Sequence, residues 1–327
     1  MSNTTQQILK SSPVIKRYAN NPILTAKDMP FESSLVFNAG VAKFQGKYVM
    51  MFRNDYGYSG GNNFKGTNIG LAYSNDGITW DVQKKPCFAL GDEEISRAYD
   101  PRLTIIDGKC YICFAVDTKH GIRGGIATTE DFENFEVISM SIPDNRNMVL
   151  FPEKVNGKYI RLERPFTVYS RDGRDRFDTW ISDSPDLKYW GNSKLLLAVE
   201  DVPFANDKTG PAAPPIKTKD GWLTIFHAVD IDHNRGKNGW EDFWKKRYTA
   251  GIMLLALDDP SRIIGMSKTP LLASEAPYEM DGFRNDVIFP GGMILEDSGE
   301  VKIYYGAADT VECLATAHVD DLVNLCR

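Results

Sequence analysis

Cysteine is scarce in this 327-residue chain, and what there is does not pair off: Cys87, Cys110, Cys113, Cys313 and Cys326 form an odd, scattered set. That excludes a disulfide framework as the source of stability and suits a reducing compartment. Cys110 and Cys113 lie within KCYICFAV, a strand-like run in which positions three apart face opposite sides, and no second CxxC accompanies them. Histidine is rarer still. His120, His227, His233 and His318 stand without ligand spacing, so no metal site is expected. No glycine-rich nucleotide loop joins a strand to a helix, and FPGG at 289–292 reads as a strand-end turn, so no cofactor is expected either. Basic charge has no excess: 38 Lys and Arg against 44 Asp and Glu leave a formal net charge of −6. A nucleic-acid partner or an anionic-membrane surface is therefore not expected, and any anion must bind at a local cluster. No apolar run approaches the roughly eighteen residues of a membrane span, and the opening MSNTTQQILKSSPVIKRY has no signal-type apolar core. A cytoplasmic protein is the expectation.

What the chain has in quantity is short strand pattern. Five segments share a strand, a tight Gly turn and an aromatic-rich strand: FQGKYVMMF (44–52), IDGKCYICF (106–114), VNGKYIRL (155–162), TKDGWLTIF (218–226) and DSGEVKIYYG (297–306). Glycine supplies the positive φ of a hairpin turn, and Val, Ile, Tyr and Phe fit a pleated surface. Each hairpin is followed by a small-residue strand, a Ser/Thr/Asp-rich turn and an aromatic or aliphatic residue, as in NIGLAYSNDGITW (68–80). Three to four strands repeated five times predict an all-β chain folded as one five-bladed β-propeller, a single domain over residues 1–327 with a short N-terminal extension. A sandwich or two stacked β domains would share the alternation but not the five copies. Residues 5–17 are expected to form one turn or helix, after which Pro13, Pro22 and Pro30 break the chain. The least repeat-like stretch is the polar insertion 230–247 with Trp240, Phe243 and Trp244, a candidate lid or a loop anchored on the propeller.

In a propeller the innermost strand of each blade lines the axis, and that strand should be the one before each hairpin turn. The strand starts then carry Asn38, Asp100, Arg146, Lys208 and Asp286, and the ends of the next strands add Arg53, Asp117, Arg164 and His227. Blades three and four thus aim Arg146, Arg164, Lys208 and His227 toward one side, in a protein that is acidic overall. Two guanidiniums offer paired donors to a tetrahedral oxyanion, with Lys and His adding charge and a further donor. Asp100, ahead of Pro101, is the carboxylate placed to act as a general acid, although Asp-Pro is also a common turn dipeptide. A glycosidase needs two carboxylates across the bond. Here Asn38 and Arg146 occupy the convenient positions, and only Glu153 and Glu163 lie deeper along blade three. One acid beside an anion site suggests phosphate, which is already anionic, as nucleophile.

These residues lie in motifs that resemble glycoside hydrolase family 130, the β-mannoside phosphorylases and related mannosidases: N-P-I-L (21–24), F-N-A-G (37–40), F-R-N-D-Y (52–56), Y-D-P-R (99–102), N-M-V-L-F-P (147–152), R-L-E-R-P (161–165), G-P-A-A-P-P-I (210–216) and D-V-x-F-P-G-G (286–292). The resemblance implies Asp100 as the single acid and Arg146, Arg164, Lys208, His227 and a tyrosine, Tyr248, as the phosphate site. It implies mannose contacts from Asn38, Arg53, Asp55, Tyr99 and Asp286. The implied reaction is an inverting phosphorolysis in which Asp100 protonates the mannose 3-hydroxyl, which relays its proton to the glycosidic oxygen, giving α-mannose 1-phosphate. The motif style is most like the subgroup acting on 4-O-β-D-mannosyl-D-glucose, with β-1,4- or β-1,2-mannooligosaccharides as the alternative. A phosphate-independent mannosidase using Glu153 or Glu163, and a non-catalytic carbohydrate-binding propeller, are the readings from other classes. Phosphate enters as co-substrate, the partner is a β-mannoside, and the sequence leaves a homo-oligomer open.

Overall fold

The computed structural model describes residues 9–167, 170, 173, 175–235 and 244–327. Its strands form five antiparallel sheets that follow one another along the chain. Blade one runs Leu35–Phe44, Lys47–Tyr56, Gly66–Ser74 and Asp81–Val82, and blade two Ile95–Ile106, Lys109–Thr118, Gly121–Thr129 and Glu136–Met140. Blade three is Asn145–Leu150, Tyr159–Pro165, Thr179–Ser184 and Gly191–Leu197. Blade four is Lys208–Pro211, Trp222–Ile231, Lys246–Leu255 and Ile263–Met266, with the short Ile216–Lys217 beside its second strand. Blade five takes Ile288–Leu295, Glu300–Ala307 and Val311–His318 from the C-terminal end, and its outer strand, Lys16–Arg17, from the N-terminal end. The first strands of blades one to four meet in sequence, and that of blade five packs against blades four and one, closing the ring. This is the five-bladed propeller the repeats predict.

The turns explain why the hairpins form. Gln45-Gly46, Asp107-Gly108 and Asn156-Gly157 all have positive φ at both central positions, the backbone whose twist matches that of the flanking strands. The middle strands are apolar on both faces because each blade is sandwiched between two others. Along Lys109–Thr118, Cys110, Ile112, Phe114 and Val116 pack with Met51, Ile69 and Leu71 of blade one. Tyr111 and Cys113 turn the other way, to Met148 and Leu150 of blade three. The CxxC pair is therefore split between two cores. The inner strands approach closely: a Cβ on Gly291 would come within 2.0 Å of the Ala39 carbonyl oxygen, and one on Gly40 within 2.6 Å of that of Pro101.

The N-terminal expectation is corrected in one respect. Residues 9–17 hold a turn at Pro13-Val14 and then the blade-five strand rather than a helix, because Arg17 must reach Glu279 and Lys16 pairs with Thr316; residues 5–8 lie outside the described residues. Among the described residues helix is confined to Pro277–Met280, Val319–Leu325 and two 3-10 turns, and none of it is long and apolar enough to cross a membrane.

Candidate active site

One device places the axial side chains. The inner strands of blades one, two and three each carry a bulge, between Phe37 and Gly40, Tyr99 and Arg102, and Arg146 and Val149. Inside these bulges sit Asn38, Asp100 and Asn147 with φ near +54° to +57°, and Asp286 ahead of blade five's inner strand has φ +57°. Asn and Asp tolerate this left-handed backbone better than other side-chain-bearing residues, and a bulge re-aims the residue it contains. The result is a cavity of about 210 Å³ at one end of the axis.

Asn38, Arg53, Tyr99, Asp100, Arg146, Arg164 and Tyr248 all line that cavity. Asp100 accepts a hydrogen bond from Asn38 Nδ2 at 3.1 Å and stands 3.7 Å from an Arg53 nitrogen. Arg53 is gripped by Asp55 at 2.7 Å and lies over the rings of Phe37 and Tyr99. Burial alone would lower the Arg53 pKa, but Asp55 and Asp100 outweigh it and raise it, so this cation is fixed. Asp55 itself is buried, also accepts a hydrogen bond from the Thr67 hydroxyl at 2.6 Å, and does not line the cavity; it orients Arg53.

The opposite wall is cationic. Arg146 and Arg164 both lie over the Phe166 ring, and Arg164 and Lys208 over that of Phe177. Arg146 Nε, Arg164 Nε and Arg164 Nη2 are buried and have no protein hydrogen-bond partner. Such donors are costly unless an acceptor arrives. Burial, then Arg146, pull the Arg164 pKa down, and burial, then Arg164, push the Lys208 ammonium down to about 6. His227 lies behind Arg164, fully buried, and neither it nor Lys208 lines the cavity. Tyr248 faces the arginines with its ring stacked on Trp244 at 5.9 Å and on His227 at 6.1 Å. Asp286 is set apart: its carbonyl accepts from the Tyr248 amide at 2.9 Å, its carboxyl group is pushed up by burial near Arg235, Arg247 and Asp230, and it does not line the cavity.

Neither glutamate that a hydrolase would need is available there. Glu163 is enclosed by Arg161 at 2.7 Å, Asn145 at 2.6 Å and Ser182 at 2.8 Å, and Glu153 pairs with Lys217 at the surface. Asp100 thus shares a cavity with two arginines that carry partnerless buried donors, and the carboxylates of Asp117, paired with Arg97, and Asp309 line it as well.

The family model for glycoside hydrolase family 130, described as β-1,4-mannooligosaccharide phosphorylase, matches residues 9–327. This chain belongs to family 130. It is 33% identical to a β-1,4-mannooligosaccharide phosphorylase of Ruminococcus albus, over 95% of this chain and 90% of the relative. It is 29% identical to a 4-O-β-D-mannosyl-D-glucose phosphorylase of Bacteroides fragilis, over 96% and 81%. The solved structure of a β-1,2-mannobiose phosphorylase from Listeria innocua, in complex with β-1,2-mannobiose, superposes with a TM-score of 0.82 at 27% identity, covering 95% of this chain and 99% of that one. With this membership the chain is an enzyme of the glycoside phosphorylase class.

Sequence reasoning missed part of this family-130 cavity. Asn147 was findable, since it sits at the same left-handed position as Asn38 and Asp100. Arg97 was missed too: it holds Asp117, a strand-end residue the sequence did place at the axis, at 2.7 Å, and Asp117 also accepts a hydrogen bond from the Tyr99 hydroxyl at 2.7 Å. Arg284 and Asp309 come from blade-five loops whose approach to the axis no local pattern announces; burial pushes the Asp309 carboxyl up to about 6. Trp244 is both anchor and wall: its Nε1 donates to the Asn285 carbonyl at 3.3 Å, Arg284 lies over its ring, and it lines the cavity. Trp240 and Phe243 lie outside the described residues. Among the described residues no three His, Cys, Asp or Glu side chains group as a metal site would.

Proposed function

We propose that this protein catalyses inverting phosphorolysis of a β-1,4-mannoside, with 4-O-β-D-mannosyl-D-glucose as substrate and α-D-mannose 1-phosphate and glucose as products. The observation that carries this reading is the pairing of one candidate acid, Asp100, with the free buried donors of Arg146 and Arg164 across one small cavity. Mannose stands over Asp100 between Asn38, Arg53 and Tyr99. Asp100 gives its proton to the mannose 3-hydroxyl, which passes its own to the glycosidic oxygen as the bond to the anomeric carbon breaks. Phosphate, held by Arg146, Arg164 and Lys208 with Tyr248 beside them, forms the new bond from the opposite face. An anionic nucleophile needs no base, which is consistent with Glu153 and Glu163 being engaged elsewhere.

A second reading, a β-1,4-mannooligosaccharide as substrate, is favoured by the higher identity to the Ruminococcus albus relative, 33% against 29% for the mannosylglucose phosphorylase. Asp100→Asn tests the shared chemistry. The variant should fold normally and lose about 10²- to 10⁴-fold in turnover of either sugar. Near-parental turnover would remove Asp100 from the acid role.

A further inference from the structure

Arg164 has five N–H donors and is 1% exposed, so each needs a direction. Its Nη1 lies 3.1 Å from His227 Nε2. A guanidinium only donates, so Nε2 accepts and carries no proton. On the other edge of the ring Nδ1 lies 3.2 Å from the Pro211 carbonyl oxygen, which only accepts, so Nδ1 carries the proton. Both ring nitrogens are thereby committed in the neutral form, and neither is left to face an anion. Burial, then the charge of Arg164, hold the imidazole well below its ordinary pKa, in the same sense. The ring is wedged against Phe289, 4.9 Å between centroids, and opposite it on the neighbouring strand is Gly210. A Cβ there would fall 2.3 Å from His227 Cε1, 2.7 Å from Nε2 and 3.1 Å from Arg164 Cδ.

We propose that His227 is a positioning residue rather than a phosphate ligand: as a neutral, Nδ1-protonated acceptor it fixes the Arg164 guanidinium so that Nε and Nη2 face the anion, and Gly210 makes the room this requires. The inference rests on the phosphate reading of the cationic wall. It separates acceptor capacity from charge at position 227, which a ligand role would not.

The test compares His227→Gln, which keeps an acceptor, with His227→Leu, which keeps bulk alone, in the full chain. Inorganic phosphate binding is measured calorimetrically, and the KM for phosphate and for mannoside in phosphorolysis. His227→Leu should weaken phosphate by about tenfold or more while the mannoside KM stays within about twofold, and His227→Gln should recover most of the loss. Gly210→Ala should weaken phosphate in the same way without touching either substrate; circular dichroism and thermal unfolding confirm that each variant is folded. Equal losses in the Gln and Leu variants, with the unaltered protein binding phosphate, would overturn the positioning role alone. Absence of phosphate binding by the unaltered protein would overturn the phosphate reading and this inference with it.

Discussion

Lys208 shows how single residues at this site trade stability against chemistry. Its Nζ is 4.5 Å from the Phe177 ring, and Asp207, the nearest carboxylate, is 3.9 Å away and closer to Lys246, at 3.4 Å. Burial and then Arg164 and Lys246 hold the ammonium down at about 6 instead of 10.5. A base whose folded pKa is depressed binds fewer protons folded than unfolded between about pH 6 and 10.5. Stability therefore rises with pH across that window, and at neutral pH Lys208 is a liability. Lys208→Met should raise stability at pH 7 by about 1 kcal/mol or more, seen as a Tm higher by a few degrees, and flatten the dependence between pH 6 and 9. It should also weaken phosphate use by about tenfold. Thermal unfolding across that pH range checks the first expectation, and a variant less stable than its parent at pH 7 would contradict it. Arg146, Arg164 and Lys208, with the neutral His227 behind them, were legible in sequence because all four fall at or near strand ends of blades three and four. What the spacing did not reveal is division of labour: Asp55 serves Arg53, and Asp286 turns toward Arg235, Arg247 and Asp230. Those distinctions depend on rotamers and on charges contributed by other blades.

At the scale of elements, the most consequential is among the shortest. Lys16–Arg17 is only two residues long, yet it supplies the outer strand of blade five and so ties the N-terminal end of the chain to the C-terminal blade. Arg17 Nε donates to the fully buried Glu279 at 2.7 Å, while other guanidinium nitrogens reach Glu275, Ser11 Oγ and the Ala273 carbonyl. Glu279 also accepts the Tyr305 hydroxyl at 2.8 Å. Removing the arginine would leave a buried carboxylate without its counter-charge, which costs far more than losing a surface pair. Arg17→Ala should destabilise by about 3 kcal/mol, and adding Glu279→Gln should restore part of it by removing the stranded charge. Denaturant unfolding of the single and double variants checks this; a loss under about 0.5 kcal/mol, the level of a surface pair, would refute the closure argument. The sequence pattern pointed to a turn or helix here because two residues are too few to display strand alternation. The hairpins were legible for the opposite reason: three of the five signal their turn type through Gln-Gly, Asp-Gly and Asn-Gly, and both φ values in each are positive.

The whole molecule is five cores in a ring. The apolar clusters fall between blades, so that Ile225 and Ile252 of blade four meet Ile288 and Ile303 of blade five, and Met50 and Phe52 of blade one meet Tyr304 and Leu314 on its other side. No blade can bury both faces alone, which is why all five copies and the closing strand are needed and why the repeat count was the strongest clue to architecture. The same ring brings Asp100 from blade two opposite Arg164 from blade three, 64 residues apart in sequence. Loop contributions such as Arg284 and Asp309 are produced by that closure and leave no periodic trace in the sequence. The most direct test of the function follows from the cationic wall. The purified protein is incubated with 4-O-β-D-mannosyl-D-glucose and with β-1,4-mannobiose, each with and without inorganic phosphate, and both mannose 1-phosphate and free mannose are assayed. The account predicts α-mannose 1-phosphate only when phosphate is present, with mannosylglucose the better substrate. Free mannose released equally without phosphate would contradict it.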